Sequence, residues 1–227
     1  MTGRTDVAPA IKFCGLTRVE DARHAERAGA AYLGVILASG PRLLDPERAA
    51  LVLGPRRQEV QRVAVFGDQT VEEIVRVVRA LDLDVAQLHG EPSVRDVEHI
   101  LAGTGRAVWP VLRVEGSVLP KEARVLAAVA GNLVLDAKVV GQLGGTGVPL
   151  DWSGLQAAIA ELRRDIPTVR LVLAGGLRPA NVAIAMRLLA PDVVDVSSGV
   201  EVSPGVKDPV AVERFVKAVH DPTGNAA

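Results

Sequence analysis

A chain of 227 residues in which 48% are apolar can bury a large core, which excludes an intrinsically disordered protein. Its 26 Lys and Arg residues are balanced by 27 Asp and Glu residues, so there is no overall positive charge to bind a nucleic-acid backbone or an anionic membrane. The predicted partner is therefore a small molecule.

A cytoplasmic location is predicted from the start of the chain and from its single cysteine. Residues 1–9 are polar and lack the apolar segment of a signal peptide, and no later apolar run is long enough to span a membrane. One cysteine cannot form an internal disulfide, which favours a reducing compartment. The sequence does not indicate an oligomeric state.

Short runs rich in β-branched residues and leucine alternate with helical patterns along the chain. In chain order, the predicted strands are Ala10–Phe13, Ala31–Leu37, Val63–Phe66, Val85–Leu88, Ala107–Leu112, Leu133–Leu135, Val169–Leu173 and Val193–Val196. A helix is predicted after each strand, the first over about residues 19–28 and the fifth near residues 120–129. The helix start signals are Thr17 with Glu20, Asp45 with Pro46, Thr70 with Glu73, Asp151, Pro179, and Asp208 with Pro209.

The eight strand–helix units predict an α/β fold, a single (β/α)8 TIM barrel over residues 1–227, with frayed ends at about 1–9 and 222–227. An open doubly wound sheet is the alternative, but it has no reason to stop at eight units, and no G-x-G-x-x-G motif follows the first strand. The loop at residues 138–150 is long and glycine-rich, which is typical of functional loops.

Residues with chemically distinctive side chains, or with glycine, follow most of the predicted strands. The carboxyl ends of barrel strands meet at one rim, where barrel active sites are built, so we expect these residues to lie together. They are Cys14, Arg42, His89, Asp136, Gly175, Gly176, Asp195, Ser198 and Gly199.

The loops after the seventh and eighth strands predict a phosphate site. Gly175, Gly176, Ser198 and Gly199 are small enough for backbone N–H groups to approach an anion, and barrels often bind phosphate at this pair of loops. Either loop alone is also explained by glycines that make a tight turn. Two such loops in succession favour phosphate binding.

Cys14 and Asp136 are the pair best suited to proton transfer. A thiol near positive groups can act as a base, and a carboxylic acid shielded from water keeps its proton longer. Each residue also has a purely structural interpretation, since a lone cysteine is often a small buried apolar residue and an aspartate can cap a loop. From the residues alone both interpretations stay open.

Arg42 and His89 can also be interpreted either as structural or as functional residues. Arg42 is either a solvated surface residue or, in a loop stiffened by Pro41, a guanidinium that binds a substrate carboxylate. His89 is expected to hold its loop by hydrogen bonding rather than to take part in catalysis. The remaining histidines lie on predicted helices, and no histidine–carboxylate cluster indicates a metal site.

Taken together, the motifs resemble those of the phosphoribosylanthranilate isomerase family, in the family's order and over about residues 10–219. The matching segments are Ile11–Arg18, Gln87–Gly90, Leu135–Asp136, Gly144–Gly147, Asp151–Trp152, Leu173–Leu177, Ser198–Glu201 and Pro204–Asp208. The resemblance implies an Amadori rearrangement of N-(5-phosphoribosyl)anthranilate in tryptophan biosynthesis, without a cofactor or a metal.

The resemblance also implies roles for individual residues. Asp136 would be the general acid and Cys14 the general base, while Arg42 would bind the anthranilate carboxylate and Asp195 would lie near the substrate amine or sugar. The phosphorylated end of the substrate would bind at the loops of residues 175–176 and 198–199. Three positions depart from the family's usual residues, and these are Leu37, Gly40 and Leu150.

Two alternative functions follow from the same scaffold. One is an isomerase that acts on a different aminoaldose phosphate, including one from histidine biosynthesis. The other is a non-catalytic barrel that binds a phosphorylated ligand. The presence of both Cys14 and Asp136 argues against the second alternative, because binding a phosphate requires neither a thiol nor an acid.

Overall fold

A computed structural model describes residues 8–137 and 150–222, and in it eight parallel strands form a closed barrel. The strands are Ala10–Phe13 (β1), Tyr32–Ile36 (β2), Gln61–Phe66 (β3), Val85–Leu88 (β4), Ala107–Val114 (β5), Asn132–Ala137 (β6), Arg170–Leu173 (β7) and Val193–Val196 (β8). The helices are Val19–Arg27 (α1), Pro46–Leu53 (α2), Val71–Ala80 (α3), Val94–Thr104 (α4), Ala123–Ala130 (α5), Trp152–Asp165 (α6), Val182–Leu189 (α7) and Pro209–His220 (α8).

The barrel closes because β1 pairs in parallel with both β2 and β8. At the seam between β1 and β8, Lys12 lies opposite Asp195. The predicted (β/α)8 fold is therefore confirmed. The predicted glycine-rich segment Gly144–Gly147 and most of the predicted frayed ends lie outside the described residues.

The alternation of side chains along each strand separates the outer core from the barrel interior. In β8, Val194 and Val196 pack outward with the helices, whereas Val193 belongs to an apolar cluster inside the barrel. Tyr32 and Trp109 fill that cluster, with their ring centroids 4.9 Å apart. The next inward positions, towards the carboxyl ends of the strands, are polar, and they include Lys12, Gln87, Asp136 and Asp195.

Most of the predicted helix starts agree with the structure. Thr70 and Glu73 form a capping box, and the carboxylates of Asp45, Asp151 and Asp208 each accept a hydrogen bond from a backbone N–H in the first turn of their helices. These caps help to set where each helix leaves its loop.

α1 begins at Val19 as predicted, but the predicted capping box of Thr17 and Glu20 is wrong. Arg18 precedes the helix, and no side chain caps it. The Thr17 hydroxyl donates instead to the carbonyl oxygen of Gly205, at 2.6 Å, so this side chain is used for a tertiary contact.

The predicted start of α7 at Pro179 is wrong, because the helix begins at Val182 after a turn over residues 179–181. The Asn181 amide explains the delay, since it donates to the Gly176 carbonyl at 2.9 Å and accepts from the Arg178 N–H at 2.8 Å. Such local hydrogen bonds favour a turn over a helix.

A 3-10 turn at Ser198–Val200 and a short antiparallel hairpin follow β8, and the sequence did not predict them. The hairpin strands are Glu201–Ser203 (β9) and Val206–Lys207 (β10), too short to give a periodic pattern. The hairpin is attached to the start of the chain by Thr17 and by the Lys207 N–H, which donates to Asp21 Oδ2 at 3.1 Å. None of the described helices combines the length and the apolar character needed to cross a membrane.

Candidate active site

A cleft opens at the carboxyl ends of the barrel strands. The cleft brings together all the residues that the sequence predicted for the site: Cys14, Arg42, Asp136, Gly175, Gly176, Asp195, Ser198 and Gly199. Gln87 and His89 line the same cleft.

Cys14 lies beside a buried ion pair. The Lys12 ammonium is fully buried and donates to Asp195 Oδ2 at 2.8 Å. Lys12 also approaches the thiol, because both groups lie beside Gly34. A Cβ atom placed on Gly34 would be 3.1 Å from Lys12 Nζ and 3.2 Å from Cys14 Sγ. Burial raises the pKa of the Cys14 thiol, and the charge of Lys12 opposes that rise. Lys12 therefore favours the thiolate in a place that would otherwise disfavour it.

Lys12 itself stays charged in this environment. Burial disfavours its ammonium form, but Asp195 and Cys14 outweigh burial, and the pKa of Lys12 is raised. Asp195 uses Oδ2 for this ion pair, while its Oδ1 is buried and has no hydrogen-bond partner among the described residues. That oxygen is an acceptor available to a ligand in the cleft.

The carboxyl group of Asp136 is held at both oxygens. Oδ2 lies 3.1 Å from His89 Nε2, and Oδ1 accepts the N–H of Ala137 at 2.9 Å. The His89 side chain therefore contacts Asp136, rather than holding its own loop as the sequence interpretation expected. Gly175 has a φ of +81°, and a Cβ atom there would lie 2.6 Å from Asp136 Oδ1, so only glycine leaves room for this carboxyl group.

The loops after β7 and β8 pack directly against each other. A Cβ atom at Gly199 would lie 1.9 Å from the carbonyl oxygen of Leu177, which leaves no space for a larger residue. Within the described chain, the N–H groups of Gly176 and Leu177 donate to no protein acceptor. Those of Ser198 and Gly199 open the 3-10 turn, where no partner within the turn is available. Together these N–H groups can bind an anion.

The Arg42 guanidinium is bound by a residue to which the sequence interpretation gave no role. Arg42 Nε lies 2.9 Å from Glu201 Oε1, and Arg42 Nη2 lies 2.6 Å from Glu201 Oε2. The Arg42 side chain is only 11% exposed, so the interpretation of Arg42 as a solvated surface residue is wrong. Sequence reasoning also gave no role to Lys12, Gln87 or Lys207.

One signal was available for two of these residues. Lys12 and Gln87 are polar residues inside short apolar strands. Side chains alternate along a strand, and both residues are at positions where the side chain points into the barrel. Glu201 and Lys207 lie in the hairpin and offered no such pattern. Among the described residues, no group of three or more His, Cys, Asp or Glu side chains is placed to hold a metal ion.

Comparison with known proteins identifies the family. Residues 11–218 match the family model described as N-(5'phosphoribosyl)anthranilate (PRA) isomerase. The chain belongs to the phosphoribosylanthranilate isomerase family. The resemblance predicted from the sequence motifs is therefore confirmed.

Relatives within the phosphoribosylanthranilate isomerase family match over nearly their whole length. The N-(5'-phosphoribosyl)anthranilate isomerase of Pseudomonas aeruginosa is 38% identical, and the match covers 92% of this chain and 94% of that protein. The enzyme of the same name from Thiobacillus denitrificans is 39% identical, with 92% and 97% covered.

Solved structures of family members share the architecture. The phosphoribosylanthranilate isomerase of Thermotoga maritima superposes with a TM-score of 0.82 at 30% identity, covering 93% of this chain and 98% of that one. A family member in complex with reduced 1-(o-carboxyphenylamino)-1-deoxyribulose 5-phosphate superposes with a TM-score of 0.79 at 30% identity, with the same coverage.

Proposed function

We propose that this chain is a phosphoribosylanthranilate isomerase of tryptophan biosynthesis. It converts N-(5-phosphoribosyl)anthranilate into 1-(2-carboxyphenylamino)-1-deoxyribulose 5-phosphate by an Amadori rearrangement. One observation carries the proposal: a carboxyl group, a thiol, an arginine and unpaired backbone N–H groups line a single cleft in a chain of this family. The cytoplasmic location stays a prediction from the sequence.

The first chemical step needs an acid at the sugar ring oxygen. The proposed acid is Asp136, which protonates that oxygen so that the ring opens and the anilino nitrogen forms an imine with C1. His89 and the Ala137 N–H hold the carboxyl group at its two oxygens, which limits its rotation. A fixed donor lowers the entropic cost of reaching the reactive geometry.

The second step needs a base at C2 of the opened sugar. The proposed base is the Cys14 thiolate, which removes the C2 proton and leaves an enolamine that tautomerises to the ketone. Atoms and charge balance, because the ring oxygen and C1 each gain one proton while C2 and its hydroxyl group each lose one, so the product is an isomer of the substrate. Lys12, which lies beside the thiol, stabilises the thiolate that this step requires.

The proposed binding groups engage the two ends and the middle of the substrate. Arg42 binds the anthranilate carboxylate, and the N–H groups of residues 176–177 and 198–199 bind the phosphate. The unpartnered Asp195 Oδ1 accepts a hydrogen bond from the substrate amine or from a sugar hydroxyl. Binding at both ends places the reactive carbons between Cys14 and Asp136.

A direct assay tests the proposed function. Purified protein mixed with freshly prepared phosphoribosylanthranilate is expected to remove the fluorescence of that substrate much faster than the uncatalysed reaction. Product formation is followed in parallel by chromatography. If the fluorescence decays at the uncatalysed rate, the chain is not this isomerase. Retention of ligand binding without turnover would instead support the non-catalytic barrel.

The variant Arg42→Ala is expected to raise KM by about 10–100-fold, because a charged hydrogen bond to the substrate carboxylate contributes about 1.5–3 kcal/mol. A smaller decrease in kcat is expected as well, since a misplaced substrate reacts more slowly. Steady-state kinetics measures both parameters. Arg95→Ala, on the exposed face of α4, is the matched control. An unchanged KM in Arg42→Ala would contradict the proposed role of Arg42.

A further inference from the structure

The β9–β10 hairpin places two buried charges at the edge of the active-site cleft. Glu201 opens the hairpin and Lys207 closes it, and the two residues lie opposite each other. Their side chains are 4% and 2% exposed, and Lys207 Nζ lies 2.7 Å from Glu201 Oε1. Acid–base chemistry in the cleft uses neither side chain. Two charges buried to this extent are costly unless their contacts serve the structure or the site.

Glu201 holds one edge of the Arg42 guanidinium. Its two oxygens engage Arg42 Nε and Nη2 in a forked arrangement, with the distances given above. Arg42 Nη1 makes no hydrogen bond with a described residue. The edge formed by Nη1 and the second hydrogen of Nη2 is therefore free to bind an incoming carboxylate in the same forked manner.

Lys207 fixes the other side of Glu201 to the barrel. Its ammonium has three hydrogens, and it donates to Glu201 Oε1 at 2.7 Å, to the Cys14 carbonyl at 2.6 Å and to the Ser197 carbonyl at 3.1 Å. These two carbonyls belong to the loops that follow β1 and β8. The Glu201 carboxylate is thus held at a fixed distance from the residue proposed as the base.

We propose that Glu201 is a positioning residue that sets the orientation in which Arg42 receives the carboxylate on the aromatic ring of the substrate. This inference rests on the proposed function, in which Arg42 binds that carboxylate. Glu201 acts through Arg42 and does not contact the substrate. Its charge state fits the role: burial alone would raise the pKa of Glu201, but Arg42 and Lys207 together lower it, so the carboxylate is ionised at neutral pH.

The test separates orientation of Arg42 from a general structural role. Two ligands are titrated by calorimetry: the reduced product analogue, and the same compound made from aniline, which lacks the carboxylate. Glu201→Gln is expected to weaken binding of the carboxylated analogue by about tenfold, the equivalent of one charged hydrogen bond, and to leave the aniline compound within about twofold of wild type. A merely structural role would weaken both ligands equally, and that result would overturn the proposal.

A double-mutant cycle with Arg42→Ala adds a second readout. Once Arg42 is removed, Glu201→Gln is expected to cause no further loss of affinity for the carboxylated analogue. Additive losses would contradict the proposal. If Arg42→Ala itself does not weaken that analogue, the role of Arg42 and this inference both fail. If Arg42→Ala weakens it and Glu201→Gln does not, only this inference fails.

Two further variants guard against loss of folding. Glu98→Gln makes the same chemical change on the exposed face of α4 and is expected to behave as wild type. If Glu201→Gln does not fold, Glu201→Asp keeps the charge next to Lys207 but is too short to hold both cations. It is expected to show the same selective loss for the carboxylated ligand, and equal affinity losses for both ligands would overturn the proposal.

Discussion

Replacing Cys14 with alanine is expected to lower kcat by about 10²–10⁴-fold, the usual contribution of a general base, while binding of the reduced product analogue stays nearly unchanged. The side chain is small and lines the cleft, so its removal is expected to leave Arg42 and the loops proposed to bind phosphate in place. Steady-state kinetics and calorimetric titration measure the two quantities separately.

Cys14→Ser distinguishes the chemistry of the thiol from its volume. A serine hydroxyl has a similar shape but is far too weakly acidic to form the conjugate base at neutral pH, so this variant is expected to be nearly as slow as Cys14→Ala. In wild type, kcat/KM is expected to fall as the pH drops below the thiol pKa, because the base must be deprotonated. Since burial raises that pKa, this fall begins at a higher pH than for an exposed cysteine. Near-normal turnover of Cys14→Ser would contradict the assignment of Cys14 as the base.

Asp136→Asn is expected to cause a comparable loss of kcat, about 10²–10⁴-fold, because an amide cannot protonate the ring oxygen. The amide occupies the same space and can still contact His89 and the Ala137 N–H, so the cleft keeps its shape. Affinity for the reduced product analogue is therefore expected to stay close to that of wild type. The same kinetic and calorimetric measurements apply.

The matched control is Asp165→Asn, which makes the same change at the exposed end of α6. Both variants are compared by thermal unfolding before kinetics, so that a loss of activity is not confused with a loss of folded protein. Turnover of Asp136→Asn within about tenfold of wild type would mean that another group supplies the proton, since a general acid contributes more than that.

The fold could be predicted from the sequence because each unit carries its own local signals. The capping box at Thr70 and the aspartate–proline starts at Asp45 and Asp208 are decided by neighbouring backbone groups. The errors occurred where a distant or competing partner decided the outcome. Thr17 binds Gly205, which is 188 residues away, and no pattern around Thr17 shows this. Asn181 shortens α7 by binding the loop that precedes it.

In the candidate site, too, some residues could be predicted from local signals and others could not. Cys14 and Asp136 could be selected because they end or follow strands, and the topology of a barrel then brings strand ends together. The contacts between the functional groups of the site and their partner side chains could not be predicted. These partners are Lys12 next to the Cys14 thiol, His89 next to the Asp136 carboxyl group and Glu201 next to Arg42, and their positions depend on side-chain contacts across the barrel. Strand spacing alone does not specify such contacts.

The seam between β1 and β8 also has a consequence for how the protein is made. Lys12 leaves the ribosome early, and its counterion Asp195 follows 183 residues later. At a synthesis rate of about 5–20 residues per second, the first strand waits about 10–40 s for its final neighbour. During that time β1 has an open edge and an ammonium group without its ion-pair partner. The nascent chain cannot assemble the candidate active site in advance, so a product truncated before β8 is expected to be inactive.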